Sequence, residues 1–392
     1  MTPYLRRDVW ALVGSSLVVS ILLLAKASAA QGEAPVPDRD DWSHLKTGAQ
    51  VFRAVCASCH GADGAGAPQH ALAFETPLPD FTDCSFASRE PQADWFAIAH
   101  NGGPTRGFDE MMPAFGGALT EAQVDSAATH LKTFCEDKSW PDGVFNLPRP
   151  LSTGKAFLED EAVWEYGSTV EEPVSMQLKF VFEKRVGDRH QVELILPVGV
   201  EQHEATDGSG ATNLKWGAGL GDPGVAWKSA LWHSPEWGSI GSLGVEVFIP
   251  VGDETDGFSK GIFRFEPFVA IGQVLPGDNF AQLHAGAELS TDEDVAGHEV
   301  FWRAAVGHTF TQGQFGRAWS PMVEVLGVRE IESGATIDWS VVPELHVTLN
   351  QRQHVMLVLG VEIPVTDFEE RQLNAMMHLL WDWYDGGFTE GW

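Results

Sequence analysis

The chain has 392 residues, more than one ordinary domain needs. Its 25 Lys and Arg against 55 Asp and Glu give a formal charge of -30. The phosphates of nucleic acid and of anionic headgroups would be repelled by such a surface, so no nucleic-acid partner is expected, whereas cations or a basic protein would be attracted. The N-terminus reads as an export signal: Arg6 and Arg7 are a short basic start, residues 9–25 are apolar, and Ala27-Ser28-Ala29 is a small-residue cleavage site. Residues 1–29 are therefore expected to be a signal peptide, with an uncleaved anchor as the alternative because Lys26 follows a rather long apolar run.

Composition divides the remainder. Residues 30–42, rich in Pro and Asp, read as a leader linker. Residues 43–138 hold all four cysteines and are patterned as helices, so a small all-α domain is expected there. Residues 139–158 read as a Pro-containing linker that opens with Trp140-Pro141-Asp142-Gly143. From residue 159 to 392 there is no cysteine, and short alternating segments are separated by Gly, Asp and Asn turns.

Within the helical part, Cys56-Ala57-Ser58-Cys59-His60 has the C-x-x-C-H spacing of c-type haem attachment. One helical turn presents two thiols to the two haem vinyl groups and an imidazole to the iron. The motif follows a helical stretch with Leu45, Ala49, Phe52 and Val55 on one side. One covalently bound haem c is thus expected on Cys56, Cys59 and His60. A c-type iron often takes a Met sulfur on its other face. Met112, followed by Pro113, is the candidate; Met111, His70, His100 and His130 are the alternatives. Here the sequence resembles class I cytochromes c, which place C-x-x-C-H on the first helix, the ligand Met in a loop, often before Pro, and a last helix near the haem. Asn101-Gly102-Gly103-Pro104 precedes the Met loop, and a helix capped by Thr120 follows it, running to Phe134. His60/Met112 ligation fills both axial positions, which points to an electron carrier rather than an enzyme. Cys84 and Cys135 remain, and in an oxidising compartment they are expected to pair, with two buried thiols as the alternative.

The C-terminal part shows period-2 segments. Val192, Leu194, Leu196 and Val198 alternate with Gln191 and Glu193, and Met176, Leu178, Phe180 and Phe182 alternate with Gln177, Lys179 and Glu183. Twelve segments are predicted: 159–169, 174–186, 190–203, 224–234, 241–252, 262–275, 280–291, 300–312, 318–330, 337–349, 354–367 and 373–384. Most have the length of tilted membrane strands. Tight turns (187–189, 276–279, 350–353) alternate with longer loops (204–221, 253–261, 292–299), and Trp residues cluster near segment ends, as in an all-β antiparallel transmembrane barrel of about twelve strands. Trp392 resembles the terminal aromatic of outer-membrane barrels. Glu193, Glu246, Glu266, Glu288, Glu324, Glu344, Glu362, Lys179, Lys228, Arg264, Arg303, His284, His346 and His378 are expected on the inner face. A soluble sandwich is the alternative.

The combination resembles the fused cytochrome–porin proteins. That resemblance implies a bacterial outer-membrane location with a periplasmic haem domain, a periplasmic redox partner protein, and an external electron donor or acceptor. Two other readings stand beside it: a channel in which the cytochrome is plug, redox gate or docking module, and a barrel that merely anchors the cytochrome. The connector discriminates, because a conduit needs it to hold the haem domain against the barrel mouth and a simple anchor does not.

Overall fold

Thr120 accepts from the backbone N–H of Gln123, whose side chain reaches back to the Thr120 N–H, so the last helix of the first domain begins with a capping box. The computed structural model describes residues 42–206, 212–254, 257–312, 317–367 and 371–383. The signal segment, nearly all of the leader linker and Trp392 lie outside them. The helices are 48–60, Cys84–Ala87, Gln92–Asn101 and Glu121–Leu131. The first and last cross in close contact at Gly48, where an added Cβ would lie 1.9 Å from the Ser126 carbonyl oxygen. Only glycine permits that approach. Phe81, Ala87, Trp95, Ala128 and Cys135 form the core, and Cys84 and Cys135 are joined in a disulfide.

The remainder is one antiparallel sheet. Its strands are β1 (Glu161–Thr169), β2 (Ser175–Val186), β3 (His190–Thr206), β4 (Thr212–Leu220), β5 (Gly224–Ser234), β6 (Ser239–Phe248) and β7 (Arg264–Leu275). There follow β8 (Asn279–Ser290), β9 (Glu299–His308), β10 (Phe310–Gln312), β11 (Arg317–Glu330), β12 (Asp338–Thr348), β13 (Val355–Pro364) and β14 (Asn374–Asp382). β1 pairs with β14 from Glu161↔Asp382 to Thr169↔Asn374, which closes the sheet into a barrel of 12 strands. Two staves are broken: β5 covers the first half of β3 and β4 its second half, and β10 continues β9 along β11. The twelve predicted segments correspond to these staves. One expectation is corrected: part of 204–221, read as a loop, extends the sheet as the β3–β4 hairpin. Leu214 and Trp216 continue the alternation there, and pairing satisfies backbone groups that a loop would leave to solvent.

The pleat separates two faces. On β3, Leu194, Leu196, Val198 and Val200 are 41, 45, 39 and 37% exposed on the outside, whereas Glu193 and Ile195 are 8 and 7% exposed within. Trp164, Val225, Trp227, Leu243, Val269, Leu283, Val323 and Leu359 are likewise exposed. A closed barrel whose outer face is apolar, with charged side chains such as Glu193 turned inward, meets the requirement of a bilayer, where every backbone polar group must be paired internally. The sandwich alternative, with its apolar face inward, does not fit.

Candidate haem site and its seat on the barrel

The C-x-x-C-H motif lies on a helix that begins with a Thr47–Gln50 capping box and widens by one π turn, the Ala57 N–H bonding the Phe52 carbonyl. Such widened turns often mark functional sites. Gly61, at φ 74°, ends the helix, and the chain folds back so that Gly66 N–H donates to His60 O at 2.9 Å and Ala67 N–H to Cys59 O at 2.7 Å. Cys56 and Cys59 are free thiols, half-buried. Burial, with the neighbouring Cys59 adding to it, pushes the Cys56 thiol up to about 11. Burial also lowers the pKa of His60, which favours the neutral imidazole that binds metal. Its ring packs 5.3 Å from Phe81, which packs 5.1 Å from Trp95, and its buried Nδ1 has no hydrogen-bond partner. Two free thiols, an imidazole in ligating form and an aromatic wall on one small domain fit a c-type haem. A haem held there would supply one-electron chemistry between ferrous and ferric states.

Met112 is half-buried in the loop after the Gln92–Asn101 helix, while Met111 beside it is 46% exposed. Gly103 N–H donates to Met112 O at 2.8 Å, and Met112 N–H to Asp109 O at 3.2 Å. Among the alternatives, His100 stacks on Phe96 and contacts Asn101 Oδ1 at 2.8 Å, His130 packs between Phe52 and Phe134, and His70 is exposed.

Residues 143–160 run inside the barrel. Leu147 and Leu151 pack with Val163, Val181, Ile195, Phe280, Leu326, Val342 and Val358 of the wall, and Phe145, Ala156 and Phe157 with Ile240 and Ala270. Between Pro148 and Ala156 the backbone of this plug bonds to wall side chains almost residue by residue. Leu151 N–H donates to Glu344 at 2.9 Å, Ser152 and Thr153 N–H to Glu324 at 2.9 and 2.6 Å, and Gly154 N–H to His284 Nδ1 at 3.2 Å. Pro148 O accepts from Gln282, Ser152 O from Arg303, Lys155 O from Lys228 and Ala156 O from Ser242. Arg149 pairs with Glu161, with Glu183 at 2.8 Å and with Glu165 at 3.7 Å. Sequence reasoning did not foresee the plug. The available signal was Phe145, Leu147, Leu151, Phe157 and Leu158, too apolar a set for a solvated linker.

The helical domain rests on one end of the barrel. Arg89 and Lys184 both pair with the buried Asp160, the latter at 2.6 Å. His354 lies 3.4 Å from Asp382 and 3.9 Å from Glu90. Arg185 stacks over Trp140 at 4.8 Å. Residues 187–189, 276–278 and 349–354 make the turns at this end; 249–263, 291–298 and 365–373 connect strands at the other. Outer-membrane barrels keep short turns in the periplasm and long loops outside, so the helical domain faces the periplasm.

A helical domain with a haem-attachment motif, seated under a closed lipid-facing barrel, defines an outer-membrane cytochrome–barrel fusion. Comparison with known proteins identifies the helical domain. Residues 43–131 match the family described as cytochrome C oxidase, cbb3-type, subunit III. Cytochrome c6 of Picosynechococcus sp. is 34% identical over 97 residues, which is 24% of this chain and 75% of that protein. Through this domain the chain belongs to the c-type cytochromes. The barrel is similar to an outer membrane channel from Pseudomonas putida F1 (TM-score 0.40, 13% identity, 59% of this chain and 98% of that one). It is also similar to the KdgM porin in complex with disordered oligogalacturonate (TM-score 0.38, 6% identity, 57% and 99%). The strand pairing itself, rather than these distant likenesses, defines the barrel.

Proposed function

We propose that this protein carries one haem c, attached to Cys56 and Cys59 and ligated by His60 and Met112, and holds it at the periplasmic mouth of an outer-membrane barrel to transfer electrons. The haem exchanges electrons with a periplasmic redox partner protein and with an external donor or acceptor across the barrel. The observation that carries this reading is the seat of the haem domain. Its connector is packed and hydrogen-bonded inside the lumen rather than left as a loose tether, as a conduit requires and a simple anchor does not. Half-burial of Met112 beside the exposed Met111 supports the choice of sulfur.

The test is electron exchange in sealed liposomes with the haem domain enclosed and a membrane-impermeant reductant added outside. Reduction of the haem on mixing supports exchange across the barrel. A haem that stays oxidised until the vesicles are lysed makes the barrel an anchor only.

A second reading is favoured by the same plug. Residues 143–160 occupy the lumen, so a channel for a small solute would have the connector as its gate. Conductance that rises when the plug is unseated, together with solute uptake, would establish it.

A further inference from the structure

We infer that the turn between β12 and β13, through Gln351 and Arg352, braces the loop that carries Met112, so that the barrel itself sets how firmly the haem iron is held by sulfur. The inference rests on the reading of Met112 as the iron's sulfur ligand.

The loop is a tight knot. Gly103 N–H donates to Met112 O at 2.8 Å, and Phe108 N–H donates to Gly103 O at 3.0 Å. A Cβ on Gly103 would lie 2.2 Å from Asp109 O and 3.2 Å from Met112 Cβ, so the two limbs of the loop are pressed together. A displacement of 103–108 is therefore passed directly to Met112.

The barrel grips that segment. Gln351 Nε2 donates to Pro104 O at 2.5 Å, and Arg352 donates to Gly107 O at 3.4 Å. The Arg352 guanidinium also lies 4.5 Å from the centre of the Phe108 ring. The gripping turn is stiff: Asn350 Oδ1 accepts from His354 N–H at 2.9 Å and Val355 N–H at 3.0 Å, and Leu349 N–H donates to Val355 O at 2.7 Å. It is rooted in two paired strands.

These contacts differ in kind from the rest of the seam. Arg89 with Asp160, His354 with Glu90 and the plug hold the domain through other segments. Gln351 and Arg352 touch the Met loop itself.

The experiment uses the full haem-loaded chain in detergent or liposomes and a Gln351→Ala/Arg352→Ala variant. Three readouts report on the sulfur: the thioether-to-iron absorption band, the reduction potential, and the imidazole concentration that displaces the sulfur. Heat-modifiable migration of the barrel serves as the folding check. With the barrel folded, the variant should show a weaker band, a lower potential, and displacement at about one-tenth the parental imidazole concentration, the effect of losing one hydrogen bond from a charged donor. Arg352→Lys in place of Arg352→Ala should recover part of each. A variant that matches the parent in all three readouts overturns the brace. Met112→Ala separates the two levels: if the band survives in it, Met112 is not the ligand and the underlying reading falls as well. If the band is lost there but the turn variant is unchanged, the brace alone fails.

Discussion

Glu324, wholly buried in the barrel wall, accepts hydrogen bonds from the backbone N–H and the hydroxyl of Thr153, a residue 171 positions earlier in the chain. The N–H of Ser152 binds its other oxygen. One carboxylate thus holds the middle of the plug against β11.

That relationship makes Glu324→Ala the most direct way to loosen the plug. Each hydrogen bond to a charged group contributes roughly 1.5–3 kcal/mol, so the seat of the plug should weaken by about 3 kcal/mol or more. In planar bilayers the variant should show larger or more frequent conductance steps than the parent. Unchanged conductance would mean that the remaining backbone bonds keep the lumen closed.

Arg149 compensates three carboxylates. Glu161 and Glu183 are direct cross-strand partners, and Arg149 lies against both. Arg149→Ala leaves two buried carboxylates side by side, and removing one member of a buried ionic cluster costs about 3–5 kcal/mol. Heat-modifiable migration should show unfolding at a lower temperature. Adding Glu183→Gln should recover part of the loss, because one of the two opposed charges is then gone; no recovery would place the effect in lost packing instead.

The Cys84–Cys135 bond spans 51 residues and ties the segment after the C-x-x-C-H motif to the segment that follows the last helix. In the loop-entropy account a closure of that size contributes about 4 kcal/mol. The Cys84→Ser/Cys135→Ser pair should still attach haem but unfold at lower denaturant concentration, as followed by the haem absorption. Peptide mapping of the parent without reductant should recover one joined peptide, and free thiols at both positions in periplasm-exported protein would remove this account.

Topology can be read on intact cells. A protease site inserted at 253–257, in the loop between β6 and β7, should be cut from outside. The same site at 187–189, in the turn between β2 and β3, should be cut only after the outer membrane is opened. The reverse pattern would invert the barrel and place the haem domain outside.

The two halves of the molecule were legible in the sequence for different reasons. The haem motif is legible because covalent attachment demands fixed residue types within one helical turn. The barrel is legible because a lipid-facing strand must alternate at period 2 and be long enough to cross. The Thr120 cap, too, is local, made with a residue three positions on. Glu193, Glu324 and Lys228 could be assigned to the inner face from phase alone, before anything was known of what they touch there.

What the lumen contains could not be read in this way. Residues 148–156 have no period, because their backbone bonds not to itself but to Glu324, Glu344, Gln282 and Arg303, more than a hundred residues away in the chain. A segment that takes its conformation from distant partners carries little local signal, and Pro141, Pro148 and Pro150 made it look like an ordinary connector. The seam has the same origin: Gln351 and Arg352 occupy an unremarkable polar turn until barrel closure brings it against Pro104, Gly107 and Phe108. The sequence by itself therefore determined the c-type cytochrome class and the two folds, through constraints that act within a few residues. Only the tertiary structure decided that the connector is a plug and that the barrel grips the Met112 loop, since both depend on contacts that exist only once β1 has met β14.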